Sequence, residues 1–191
     1  MKNEAAISAA ASALEESGMK KIGEPVRWKN FSGSEIEYTV QDVEIFDHYS
    51  ESGIPESEFN FGLNNESFVL LDVKIKKISG SERKNEEDND NISTLQLYNQ
   101  NMLKAKANGE SPAISEICYF SGHGDVDETG KGYGRYWLDP GEEAVFQVGW
   151  CVHEPLTGRD QVVYLNDTKG LVLHVGNSNN VDGGTYIDLE T

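Results

Sequence analysis

Three segments of dense apolar content punctuate an otherwise polar chain: SFVLLDVKIKKI (Ser67 to Ile78), LDPGEEAVFQVGWCV (Leu138 to Val152) and KGLVLHV (Lys169 to Val175). In the first, Val69, Leu71, Val73, Ile75 and Lys77 fall on one face, while Phe68, Leu70 and Asp72 begin the other. A period of two is the strand signature. Loss of apolar residues from the second face predicts a strand buried on both sides at first and on one side later. The middle segment opens with Asp139-Pro140-Gly141, a turn, because proline presets φ and glycine accepts positive φ. Beyond it Ala144, Phe146, Val148 and Trp150 line one face, opposite Val145, Gln147, Gly149 and Cys151. That places Trp150 in the core.

Weaker patterns fill in the rest. Glu24 to Phe31 reads as a first strand. Glu35 to Tyr49 alternates through Ile36, Tyr38 and Val40, then through Val43 and Ile45, and the one-residue slip at Gln41-Asp42 predicts a bulge or tight turn. Ile92 to Leu103, Ala113 to Phe120, Tyr136 to Leu138, Asp160 to Leu165 and Thr185 to Glu190 bring the strands to about nine. Ser50 to Glu66 is polar and reads as a long connection. Ser79 to Asn91 has no apolar residue and reads as a mobile loop with nothing to bury. Residues 4 to 17 carry Ile7, Ala11 and Leu14 on one helical face, a short and marginal helix. The expected organisation is a tether or short helix over residues 1 to 22, followed over 23 to 191 by one immunoglobulin-like, antiparallel β-sandwich of seven to nine strands.

Charge narrows the choice of partners. The 191 residues include 33 acidic and 16 basic side chains, a formal net charge of -17, which repels phosphate backbones and argues against nucleic acid. No apolar run approaches the roughly 20 residues of a membrane helix, so no transmembrane segment is expected. The stretch Ala5 to Leu14 is too poor in large apolar residues for the core of a secretory signal. A polar, helix-prone stretch ahead of the first strand instead suits the tether of an exported domain whose leader has been removed.

The order of a YTVQDVEIFD strand, a long loop, FVLLDVKIKK, a polar insert, a Leu-Asp-Pro-Gly-Glu turn into an apolar strand, and a closing GLVLHV strand resembles the telokin-like, immunoglobulin-like domains of uncharacterised surface lipoproteins. The resemblance spans about residues 24 to 190. It implies an extracytoplasmic, membrane-tethered domain of Gram-positive bacteria, and it carries no catalytic motif. No lipobox cysteine precedes the domain in this sequence, and Trp137 and Trp150 lie too near Cys151 for the usual immunoglobulin cysteine and tryptophan arrangement.

Candidate chemistry is sparse. Asp125, Asp127 and Thr129 with Gly130 match the first half of a calcium loop, but Tyr136 stands where the bidentate glutamate belongs, so a solvated glycine-rich loop competes with a metal site. No cofactor is expected from the sequence, calcium being the candidate this loop brings forward. His123 beside these acids adds a single nitrogen. Ser121, His123 and Asp125 are too close in sequence to converge as a hydrolase triad. Cys151 and His153 would point the same way from one strand, which places a thiol near an imidazole, though a buried structural cysteine has the same pattern. Tyr133, Arg135, Tyr136 and Trp137 have the composition of a binding edge for peptide or carbohydrate, or of core strand residues. Cys118 and Cys151 sit in separate predicted strands, and spacing alone leaves open two buried free thiols or one inter-sheet disulfide. Four Asn-x-Ser/Thr sequons occur, at Asn30, Asn65, Asn91 and Asn166; chance produces a couple in a chain this rich in asparagine and serine, and a bacterial source would make them irrelevant. The reading that follows is a non-enzymatic, extracytoplasmic module that binds protein or carbohydrate at the cell surface, or acts as a spacer there. The alternative is a calcium-dependent surface domain, or a surface enzyme, using the Gly122 to Gly134 loop.

Overall fold

The chain folds as an all-β sandwich, in a computed structural model that describes residues 18–30, 33–60, 67–80, 90–99, 117–123, 133–152, 168–176 and 184–191. Its strands are Lys20–Lys21 (β1), Val26–Lys29 (β2), Glu35–Phe46 (β3), Phe68–Ser79 (β4), Asp90–Asn91 (β5), Leu95–Asn99 (β6), Ile117–Phe120 (β7), Arg135–Tyr136 (β8), Glu143–Cys151 (β9), Leu171–Gly176 (β10) and Gly184–Asp188 (β11). One sheet has the order β2-β3-β4-β9-β7, the other β1-β11-β10-β6, and β5 pairs with β8 as a small separate ribbon. Every described pair is antiparallel except β1 with β11. Among the described residues no α-helix occurs, only three 3-10 turns. The helix expected over residues 4 to 17 and the strand expected over Asp160 to Leu165 lie outside them.

The core forms where the inner faces of the two sheets meet. Val69, Leu71, Val73 and Ile75 of β4 and Val148 and Trp150 of β9 pack in one cluster with Leu95 and Leu97 of β6, Leu171, Leu173 and Val175 of β10 and Ile187 of β11. The alternation expected along β4 and β9 is therefore realised, and Val145, on the opposite face from Trp150, is exposed. The slip in β3 is a bulge between Val40 and Asp42 in its pairing with β4. At the Asp139-Pro140-Gly141 turn, Glu142 N donates to Asp139 O and Gly141 adopts φ +94°, a conformation an L side chain rarely tolerates. Residues 18–22, assigned above to the tether, join the sandwich: Lys20 and Lys21 pair with Ile187 and Asp188, and Ile22 packs on the core.

The outer face of the five-stranded sheet is divided. At one end Phe68, Leu70, Cys118, Tyr119 and Cys151 form a second apolar cluster, covered by Phe46, Tyr49, Ile54 and Phe59. The polar connection after β3 is thus a flap whose few apolar residues close over the sheet. At the other end Arg27, Glu37, Lys76 and Glu143 stand in register across β2, β3, β4 and β9, a row of alternating charge in which Glu37 and Lys76 are half-buried and Arg27 and Glu143 are exposed. Such surface pairs contribute little stability, but they leave this half of the face solvated.

Candidate functional site

Chemistry-bearing side chains converge around β7, the edge strand beside β9. A bulge between Ile117 and Tyr119 interrupts its pairing with β9. Cys118 and Tyr119 both pack into the outer cluster, whereas Phe120 packs in the main core. Cys151 lies on the same outer face of β9, and the two sulfurs are 2.7 Å apart as free thiols. The cysteines therefore meet within one sheet as buried free thiols, one of the two alternatives left open above, and not across the two sheets as the other required. Sheet order is the reason: β7 and β9 are neighbours, which alternation along each strand cannot reveal. The hydrogen bond with Cys151, and burial after it, push the Cys118 thiol far above its ordinary range. A thiol held neutral in this way is not an activated nucleophile.

The free side of β7 is blunted by side-chain and loop contacts. Asn60 N, from the end of the flap, donates to Cys118 O at 2.9 Å. The Tyr133 hydroxyl accepts from Phe120 N at 3.0 Å and donates to Glu58 O at 2.6 Å, so one phenol ties the flap to the strand. Pairing of this kind protects an edge from adding foreign strands. His123 stacks on the Tyr133 ring, with centroids 4.9 Å apart, and its Nε2 lies 3.2 Å from Glu58 Oε2. His123 and Glu58 remain partly accessible to water. Burial pushes Tyr133 up to about 12. Its folded value exceeds the unfolded 10.0, so the stability it contributes is complete below pH 10 and is lost as pH rises through 12. An absorbance titration of the phenols should show Tyr133 ionising together with unfolding in that window. Tyr133→Phe should remove this component, and a simple titration near 10 in the folded protein would contradict the burial.

A second polar centre lies inside the sandwich. Lys77, on the inner face of β4, is buried with its Nζ 3.1 Å from Asp90 Oδ2 and 4.5 Å from the centre of the Trp137 ring. Asn30 Nδ2 donates to Asp90 Oδ1 at 2.7 Å. Asp90 belongs to the run read as having nothing to bury, yet it is 3% exposed. The counter-charge demanded by Lys77 overrides the polar composition of the run. Nearby, Tyr38 OH is 3.0 Å from Thr94 Oγ1 and 3.4 Å from Tyr136 OH, and burial raises the pKa of both phenols.

Of the sequence-derived candidates, Cys118, Cys151, His123 and Tyr133 are thus brought together around β7. Tyr133 and Tyr136 are buried, so of the four-residue binding edge only Arg135 and Trp137 are partly exposed. Asp125, Asp127 and Thr129, with Gly130 and His153, lie outside the described residues. Among the described residues no group of three or more histidine, cysteine or acidic side chains is placed to hold a metal ion, and no helix is long and apolar enough to cross a membrane. Ser121 Oγ accepts from Gln147 N, a strand contact. Glu58, Asn30 and Asp90 were missed by sequence reasoning. A lysine on an apolar strand face was the one signal that an acid had to be buried somewhere.

No family model matches the chain, and no curated protein matches it. The crystal structure of the yjhA protein from Bacillus subtilis is similar at a TM-score of 0.45 and 16% sequence identity, covering 89% of this chain and 99% of that one.

Proposed function

We propose that this chain is a non-enzymatic binding or spacer domain displayed outside the cytoplasm at the cell surface. The ligand would be protein or carbohydrate, contacted by the flap and the loop after β7 rather than within a cleft. The observation that supports this reading is the flap over residues 47 to 60, pinned to β7 and Tyr133 through Asn60 and Glu58. It gives an aromatic-backed platform on which His123 and Glu58 face water, as recognition loops held on a β-scaffold do. The strong negative charge suits an exposed module that must not adhere to anionic surfaces.

Two measurements test it. Labelling intact producing cells with a membrane-impermeant amine reagent should modify the protein as fully as in a lysate, and labelling only after lysis would remove the surface assignment. Thermal unfolding should be unchanged by calcium at micromolar concentration. A raised midpoint, reporting binding to the native state, would replace this reading with the calcium-dependent alternative through Asp125 and Asp127.

A further inference from the structure

Cys118 and Cys151 are 33 positions apart in the chain, yet their sulfurs lie 2.7 Å apart on the outer face of adjacent strands. β7 needs such a neighbour. It is four residues long, lies at the edge of its sheet and carries a bulge, so its ladder to β9 supplies few bonds. We propose that Cys118 and Cys151 close to an intramolecular disulfide, by exchange with a small-molecule disulfide, and that this bond staples the edge strand β7 to β9.

The exchange balances with the external disulfide as oxidant. One protein thiolate attacks a sulfur of that disulfide, whose S–S bond breaks and releases one thiolate that takes up a proton. The second protein thiol loses its proton and attacks the protein sulfur of the mixed disulfide, expelling the other external thiolate. Two protein thiols lose two electrons, and one external disulfide becomes two thiols. Both cysteines are buried in the outer cluster against which Phe59 of the flap packs, so exchange proceeds from a form in which flap and edge strand have opened. Reduction of the closed bond passes through the same opened form, so it is slowed by the cover and not blocked. The proposal stands on the thiol geometry and is independent of the surface role.

The full chain, reduced and then incubated with oxidised glutathione, tests it. Thiol titration in denaturant should fall from two groups to none, with the mass reduced by two hydrogens and no glutathione adduct. The thermal midpoint should rise by roughly 10 °C, as expected for a disulfide closing a loop of this size in a domain of this length, and a reducing agent should reverse the rise. The Cys118→Ser/Cys151→Ser variant should show no response to glutathione. Two thiols remaining after oxidation would overturn the proposal. So would a disulfide that leaves the midpoint unchanged or lower, or an equal rise in the double variant.

Discussion

Replacing Asp90 with alanine should cost the domain about 3 to 5 kcal/mol in urea unfolding, because it leaves the Lys77 ammonium buried without its counter-charge. Lys77 is 2% exposed, and its Nζ has Asp90 Oδ2 at 3.1 Å and the Trp137 face on another side. The Asn30 amide, which donates to the same carboxylate, would lose its acceptor as well. Removing both charges should behave differently. Lys77→Met with Asp90→Leu deletes two desolvation costs along with one attraction, and such exchanges are often neutral or stabilising. The double variant should therefore recover most of the single variant's loss. A single-variant cost below about 1 kcal/mol would show that Lys77 is neutralised by another acid.

Trp150→Ala should be comparably damaging, at about 3 to 5 kcal/mol, out of the 5 to 15 kcal/mol typical of a whole domain. Trp150 is fully buried between the sheets, opposite Val69 on β4 and Ile117 on β7. No small shift of two hydrogen-bonded sheets can fill the space an indole leaves. Its Nε1 has no hydrogen-bond acceptor among the described residues. Trp150→Phe should therefore cost clearly less, since it keeps most of the apolar volume and removes an unpaired donor. A urea midpoint for Trp150→Ala equal to that of the parent would mean that the register of β9 is wrong.

These two sites differ in how far they could be read from the sequence. Trp150 follows from alternation with Ala144, Phe146 and Val148 after a turn that sets the start of the strand. Lys77 was visible as the odd member of an apolar face, but its partner lies 13 positions on, in a run without one apolar residue. The thiol pair was half legible: the two strands could be read, their adjacency could not. Tyr133 and Tyr136 had the composition of an exposed edge, but Tyr133 is held between Phe120 N and Glu58 of the flap, and Tyr136 packs against Phe120 beside the Tyr38 hydroxyl.

Taken by itself, the sequence determined the strands β3, β4, β9 and β10, the bulge after Val40, the turn at Gly141 and the inward face of each long strand. All of these depend on neighbours within a few residues, where side chains alternate with a period of two and proline and glycine restrict φ. Only the tertiary structure decided the order of the strands, the flap over Phe68 and Leu70, the meeting of Cys118 with Cys151 and the burial of Asp90 against Lys77. Those contacts join residues far apart in the chain, and they form because two sheets must cover one another and every buried charge must find its partner. Local periodicity carries no record of either requirement.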